Sequence, residues 1–294
     1  MVEENDIRIG VIGGSGLYEM AGMRVLEEKR IDTAFGEPSD AYVVGELEGV
    51  KVAFLPRHGR GHRLLPSELN YRANILGMKM LGVEWIVSVS AVGSLKIEYK
   101  PTDILIPDQF YDRTRHRVDT FFGNGLVAHV SFAHPLCDRL SGWMAEGARA
   151  AGATVHEGGT YVCMEGPLFS TQAESEEYRR RDFDIIGMTN LQEAKLAREA
   201  EMSYATLAMV TDYDCWHEEE ADVSGAAVME VIRQNVRMAQ EAVRESIRRI
   251  QVEEQSPYVG QLEHSLITEP AVVPVETKKA LEPIIGPYMP AETI

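Results

Sequence analysis

Short apolar runs alternate along this chain with stretches whose apolar residues recur every three or four positions. The run Ile7–Ile12 reads as a buried strand that breaks at Gly13-Gly14-Ser15-Gly16, and Val50–Leu55 as a second strand that ends in a basic loop. Residues 67–82, SELNYRANILGMKMLG, open on Ser67 as an N-cap and place Leu69, Ala73, Leu76 and Met80 on one helical face. The stretch EWIVSVSAVGSL is a strand that runs into small residues. Asp103–Ile106 and Ala205–Thr211 read as further strands, with Leu191–Glu201 a helix between them. From Ser224 to about Ile250, Val228, Ile232, Val236, Ala239, Val243 and Ile247 mark one face of a long helix. Strands alternating with helices predict a single α/β domain on a largely buried sheet. Six of the 13 prolines lie beyond residue 250. The expectation is therefore a catalytic domain over 1–250. Residues 251–294 then form a proline-rich arm of little regular structure, packed on the body or on a neighbouring subunit.

Composition narrows the ligand. Hydrophobic residues make up 45% and charged residues 26% of the 294, and 29 basic against 46 acidic residues leave a net charge of −17. Such a surface repels a nucleic-acid polymer or an anionic membrane, so an anionic ligand needs a local positive site. The three cysteines, Cys137, Cys163 and Cys215, form no Cys-x-x-Cys pair and suit reduced thiols. The acidic start MVEENDIRIG lacks the regions of a signal peptide, and Lys79 and Glu84 interrupt the longest apolar zone. A cytoplasmic location is expected.

Candidate chemistry sits at the strand ends. Glycines in Gly13-Gly14-Ser15-Gly16 let backbone N–H groups approach an anion, but the third glycine of a dinucleotide fingerprint is missing, which argues against an oxidoreductase. Arg57-His58-Gly59-Arg60-Gly61-His62-Arg63 is either a phosphate loop, with arginine forks for the oxygens, or a solvated basic loop. Ser88 to Ser94 can supply neutral donors or make an ordinary turn. Phe169, in Glu165-Gly166-Pro167-Leu168-Phe169-Ser170, and Met188, in Gly187-Met188-Thr189-Asn190, suit the faces of a base and a sugar, and equally suit a core. In MVTDYDCWH, strand alternation sends Asp212 and Asp214 to one side and Cys215 to the other. That disfavours a metal site and leaves two carboxylates to read a heterocycle's edge, or Asp212 as a local cap.

In order, GVIGGSGLYE, LPRHGRGHRLLPSELNYRANI, SAVGSL, PDQFYDRT, EGPLFSTQAES, GMTN and MVTDYDCWH resemble the 5′-methylthioadenosine phosphorylases, in the trimeric branch of the purine nucleoside phosphorylases, over about residues 8–240. The resemblance implies a single-domain fold with a mixed, twisted central sheet flanked by helices. It implies a homotrimer, a role in purine and methionine salvage, and phosphorolysis of methylthioadenosine without metal or organic cofactor. Phosphate would be held by Ser15, Arg57, His58, Ser90 with the Ala91 backbone N–H, and Thr189. Phe169 and Met188 would flank base and ribose, Val228 and Met229 would line the methylthio pocket, and His129 of an adjacent subunit would close it. Asp212 and Asp214 would be the catalytic adenine readers.

Cleaving an N-glycosidic bond builds positive charge on the sugar, which phosphate stabilises, and negative charge on the purine, which an acid relieves. An ordinary aspartic acid, with a pKa of about 3.9, is ionised near neutrality. The pair must therefore raise the pKa of one member, expected to be Asp212. An ionised carboxylate favours a 6-amino purine; a 6-oxopurine nucleoside or methylthioinosine is the alternative. A non-catalytic purine-binding protein would not need the basic loop. Leu168 and Gln172 stand where the family carries basic residues, and Gly225 where it carries a bulkier apolar one. Asn190 offers an amide able to bond either purine edge.

Overall fold

The computed structural model describes residues 7–14, 17, 20–217 and 224–289. Strands β1 (Ile9–Gly13), β2 (Arg24–Lys29), β3 (Tyr42–Leu47), β4 (Val50–Pro56) and β5 (Trp85–Ser94) make the first half, with helix α1 (Tyr71–Met80) before β5. The second half holds β6 (Ile104–Ile106), β7 (Gln109–Arg113), β8 (Val155–Glu157), β9 (Thr160–Met164), β10 (Ile185–Gly187) and β11 (Ser203–Asp212). Between and after them run α2 (Asp138–Ala150), α3 (Gln172–Arg180), α4 (Asn190–Glu199) and α5 (Gly225–Ile247). All of these strands join one mixed sheet, in keeping with the α/β pattern of the sequence.

The sheet splits where the chemistry lies. β11 runs parallel to β5 from Trp85 to Gly93 and occupies one of its edges. A strand has two edges, so β1 and β10 must share the other. β1 pairs with Trp85 to Val89, and β10 pairs antiparallel with Gly93 and Ser94. Between them Ser90, Ala91 and Val92 face no strand on that edge, and their backbone is available to a ligand.

Successive β5 residues alternate between two apolar layers. Ile86 packs with α1 and α4, whereas Trp85, Val87 and Val89 pack with α2 and α5. Full burial of such side chains stabilises by about 1.5–3 kcal/mol each. The helices of the second layer touch closely: a side chain at Gly147 in α2 would meet the Ser246 backbone nitrogen of α5 at 2.5 Å.

Two local expectations are corrected. Asn70, not Ser67, caps α1, because its side chain accepts the Ala73 N–H, while the Ser67 hydroxyl turns away to Glu165 Oε1 at 2.5 Å. The arm is also more regular than its prolines suggest. It carries α6 (Val275–Ala280), α7 (Glu282–Ile285) and two 3₁₀ turns, and buries Leu262, Leu281, Ile284 and Ile285 against the α1 layer. Glu201 holds it there, accepting from the Leu262 N–H and the Tyr288 hydroxyl at 2.8 Å each. Proline at the start of short helices costs nothing in hydrogen bonds, which is why the arm folds. No helix among the described residues is long and apolar enough to cross a membrane.

Candidate active site

A cavity of about 550 Å³ lies over the split in the sheet, lined from the ends of β1, β4, β5, β9, β10 and β11 and from α5. Of the residues the sequence nominates, Arg57, His58, Ser90, Ala91, Thr189, Phe169, Met188, Asp212, Asp214, Val228 and Met229 all line it. Ser15 lies outside the described residues. His129 is exposed, donates its backbone N–H to Ser265 O, and lies outside the cavity of its own chain.

At one end the polar groups converge around Gly14. Arg57 follows β4 directly and is 1% exposed. Its fork is not open. Nε and Nη2 donate to the two Glu193 carboxylate oxygens at 2.5 and 3.0 Å, Nη2 also to Ser88 Oγ at 2.6 Å, and Nη1 to Val89 O at 2.8 Å. One Nη1 hydrogen remains, on the atom that a Gly14 side chain would approach at 3.3 Å. Burial opposes the guanidinium charge and Glu193 sustains it, so Arg57 brings an oriented donor to the cavity with its charge balanced. His58 stacks on His62, with centroids 4.3 Å apart, and shares Nδ1 with Leu64 O at 2.9 Å. Burial, followed by the Arg57 charge, pushes its pKa down to about 4, so the ring is neutral near pH 7. Positive potential comes instead from the amino end of α4, whose N-cap Thr189 faces the cavity.

The opposite end holds the two carboxylates, but not by strand alternation. The register of β11 on β5 slips between Val210 and Asp212, a bulge that lets both Thr211 and Asp212 face the cavity. The strand then stops, and Asp214 reaches the same side from a turn with φ of 50°. Gly93 makes room: a side chain there would meet Asp212 Oδ1 at 2.9 Å. Asp212 accepts from the Asp214 N–H at 2.8 Å and from the Thr211 hydroxyl at 2.7 Å. Asp214 is the more buried of the two, and burial raises its pKa against the opposing pull of Ser175 and Ser170. Among the described residues, Asp214 Oδ2, Ser170 Oγ and Ser175 Oγ complete no hydrogen bond of ordinary geometry. Burial thus favours a proton on Asp214, the neighbour of the residue to which the sequence reading assigns it.

Between the ends, a side chain at Gly166 (φ of 69°) would strike Met188 Sδ at 2.6 Å, so this glycine brings Met188 to the wall beside Phe169. Gly225, Val228, Met229 and Ile232, from the first turns of α5, close the far side. Leu168 is 81% exposed, Gln172 is exposed at the start of α3, and neither lines the cavity. Cys215 donates to Ser170 O, and Trp216 to Ser94 O, as packing residues do. Among the described residues no group of three or more His, Cys, Asp or Glu is placed to hold a metal ion. Asn190 is fully buried away from the cavity. Its amide nitrogen meets Ser88, Tyr204 and Thr206, which removes it as a purine reader.

The family model described as the phosphorylase superfamily matches residues 8–248. The chain belongs to the phosphorylase superfamily. It is similar to the S-methyl-5′-thioadenosine phosphorylase of Geobacter sulfurreducens, 57% identical over 96% of this chain and 99% of that relative. The protein of the same name from Chloroflexus aurantiacus is 56% identical over 95% and 98%. Among solved structures, a methylthioadenosine phosphorylase from an antarctic soil metagenomic library superposes with a TM-score of 0.90. It is 49% identical, over 96% of this chain and 99% of that one. The methylthioadenosine phosphorylase from Schistosoma mansoni, in complex with adenine, gives a TM-score of 0.80 at 36% identity, over 82% and 91%.

Two residues that pack behind this site escape a reading of local sequence. Glu193 lies 136 positions from the arginine it orients, and Arg117 sits in no glycine turn. The one signal for Glu193 is a carboxylate one turn before Leu196 and Ala197, on a helix that is buried.

Proposed function

We propose that the protein catalyses phosphorolysis of 5′-methylthioadenosine to adenine and 5-methylthioribose 1-phosphate, as a pentosyltransferase with inorganic phosphate as second substrate. One observation carries this reading: a single cavity joins a cradle of neutral and charge-balanced donors at the end of β4 to a carboxylate pair at the end of β11, of which Asp214 is desolvated. Phosphate lies against the remaining Arg57 donor, Ser90, the Ala91 N–H, Thr189 and the amino end of α4. A neutral His58 that donates from Nδ1 to Leu64 O presents Nε2 as an acceptor, matched to the P–OH of hydrogen phosphate. Ser15 belongs to the same cradle by its place in the chain.

As the glycosidic bond lengthens, this phosphate stabilises the cationic sugar and then bonds the anomeric carbon. The bond's electron pair leaves with the purine, and the carboxylate pair delivers a proton to its ring nitrogen. Asp212 stays an acceptor for the exocyclic amine while Asp214 starts with the proton. Phe169 covers the base, Met188 the ribose, and the Val228–Met229 wall takes the apolar thioether. No step needs a metal or an organic cofactor. We infer a cytoplasmic homotrimer, serving purine and methionine salvage, in which His129 reaches a neighbour's 5′ pocket; its exposure outside its own cavity supports this.

Purified protein incubated with methylthioadenosine is expected to release adenine only when phosphate is present. Methylthioinosine and inosine should turn over more slowly. Release independent of phosphate, or none, would overturn the reading, and a preference for the 6-oxo substrates would reverse the base assignment.

A further inference from the structure

Arg117 lines no part of the cavity, yet it lies behind two of its walls with a side chain 1% exposed. Its Nη2 donates to the carbonyls of Glu165 at 2.6 Å and Met164 at 3.3 Å, the end of β9 and the start of the turn that carries Phe169. Its Nη1 donates to Met188 O, to Gln192 Oε1 at 2.9 Å and to the Tyr71 hydroxyl at 3.2 Å. Nε reaches Ser67 Oγ at 3.3 Å, and Glu165 Oε1 balances the charge from 3.8 Å. One planar group thus binds the base wall, the ribose wall, α4 and the entry to α1. Two of the carbonyls it holds, those of Met164 and Met188, belong to cavity-lining residues.

We propose that Arg117 is a positioning residue for the nucleoside: it fixes the separation of the Phe169 turn from Met188, and hence the slot into which base and ribose fit. The assignment rests on the nucleoside reading of the cavity. A guanidinium suits the task because its five donors diverge in one plane, which an ammonium cannot reproduce. The anion end is tied together separately, through Glu193 and Asn190, and among the described residues Arg117 shares no hydrogen bond with Arg57, His58 or Ser90, though its charge adds, after burial and Arg57, to the depression of His58. Its loss should loosen the nucleoside slot and spare the phosphate cradle.

The test compares Arg117→Lys and Arg117→Ala with the wild-type protein. Wild-type turnover of methylthioadenosine is measured first. If there is none, the functional reading fails, and the Arg117 assignment is then read from equilibrium binding of adenine. Three part-buried carbonyls left short of a donor should raise KM for the nucleoside, or weaken adenine binding, at least about tenfold. KM for phosphate should stay within about twofold, and free guanidinium at non-denaturing concentration should restore part of the lost affinity to Arg117→Ala. Should Arg117→Ala not fold, Arg117→Lys carries the comparison. A folded variant with unchanged nucleoside affinity would overturn the proposal. So would both KM values rising together without rescue by guanidinium.

Discussion

At the phosphate end of the cavity, Arg57 spends four donors on Glu193, Ser88 and Val89, and Asn190 ties Ser88 to Tyr204 and Thr206 beneath it. At the purine end, Asp214 Oδ2 and the hydroxyls of Ser170 and Ser175 are buried without completed hydrogen bonds among the described residues. The first end is built before any ligand arrives, and its polar groups satisfy one another. On the proposed function the second is completed by its ligand, whose ring nitrogen meets the cavity-facing Asp214 carboxyl, while Ser170 and Ser175 lie outside the cavity lining. Preorganised donors suit an anion that must be held through a charge change, whereas a desolvated carboxyl suits a group that must give up a proton.

The contrast breaks most visibly at the carboxylates. Asp212→Asn and Asp214→Asn should each lower kcat about a hundredfold to ten-thousandfold with phosphate binding intact, measured by steady-state kinetics. Because the Asp214 pKa is raised, its proton is present below that pKa and lost as pH rises through it. The alkaline fall of kcat should therefore track Asp214; a limb that survives Asp214→Asn would return the proton to Asp212. At the other end, Glu193→Ala strands the buried Arg57 charge and should destabilise the fold by about 3–5 kcal/mol in denaturant unfolding.

That difference between the ends also explains what the sequence could convey. Stations such as Arg57-His58, Ser90-Ala91 and Met188-Thr189 were legible because each sits where an apolar run meets glycine or hydroxyl residues, and a strand's carboxyl end is where α/β folds place ligands. The long amphipathic helix over Val228 to Ile247 was legible from its period alone. Partners were not. Nothing local tells Arg57 to turn its fork to Glu193, or sends Asn190 to Ser88, because those partners lie 136 and 102 positions away in the chain. Nor does the pattern reveal the bulge at Thr211, which depends on the register of β11 against β5, so the carboxylates reach one side by a route that alternation does not give.

A smaller effect separates the ends by pH. His58 is depressed from 6.5 to about 4, so the native state binds fewer protons than the unfolded one between those values. That contribution is complete above pH 6.5 and lost as pH falls through 4, a difference of about 3 kcal/mol. Unfolding of His58→Gln between pH 7 and 4, set against wild type, should lose that part of the acid sensitivity. Smallest is Phe169→Ala: the ring is 40% exposed, so stability should hold while KM for the nucleoside rises about threefold to tenfold.

On the proposed function, phosphate and purine occupy opposite ends of one cavity and are held by different means. A crystal structure with adenine and phosphate bound together tests it most directly. The purine edge should lie on Asp212 and Asp214 beneath Phe169, and phosphate should lie among Arg57, His58, Ser90 and Thr189. Adenine away from the carboxylates, or phosphate bound anywhere but at the Arg57 end, would contradict it.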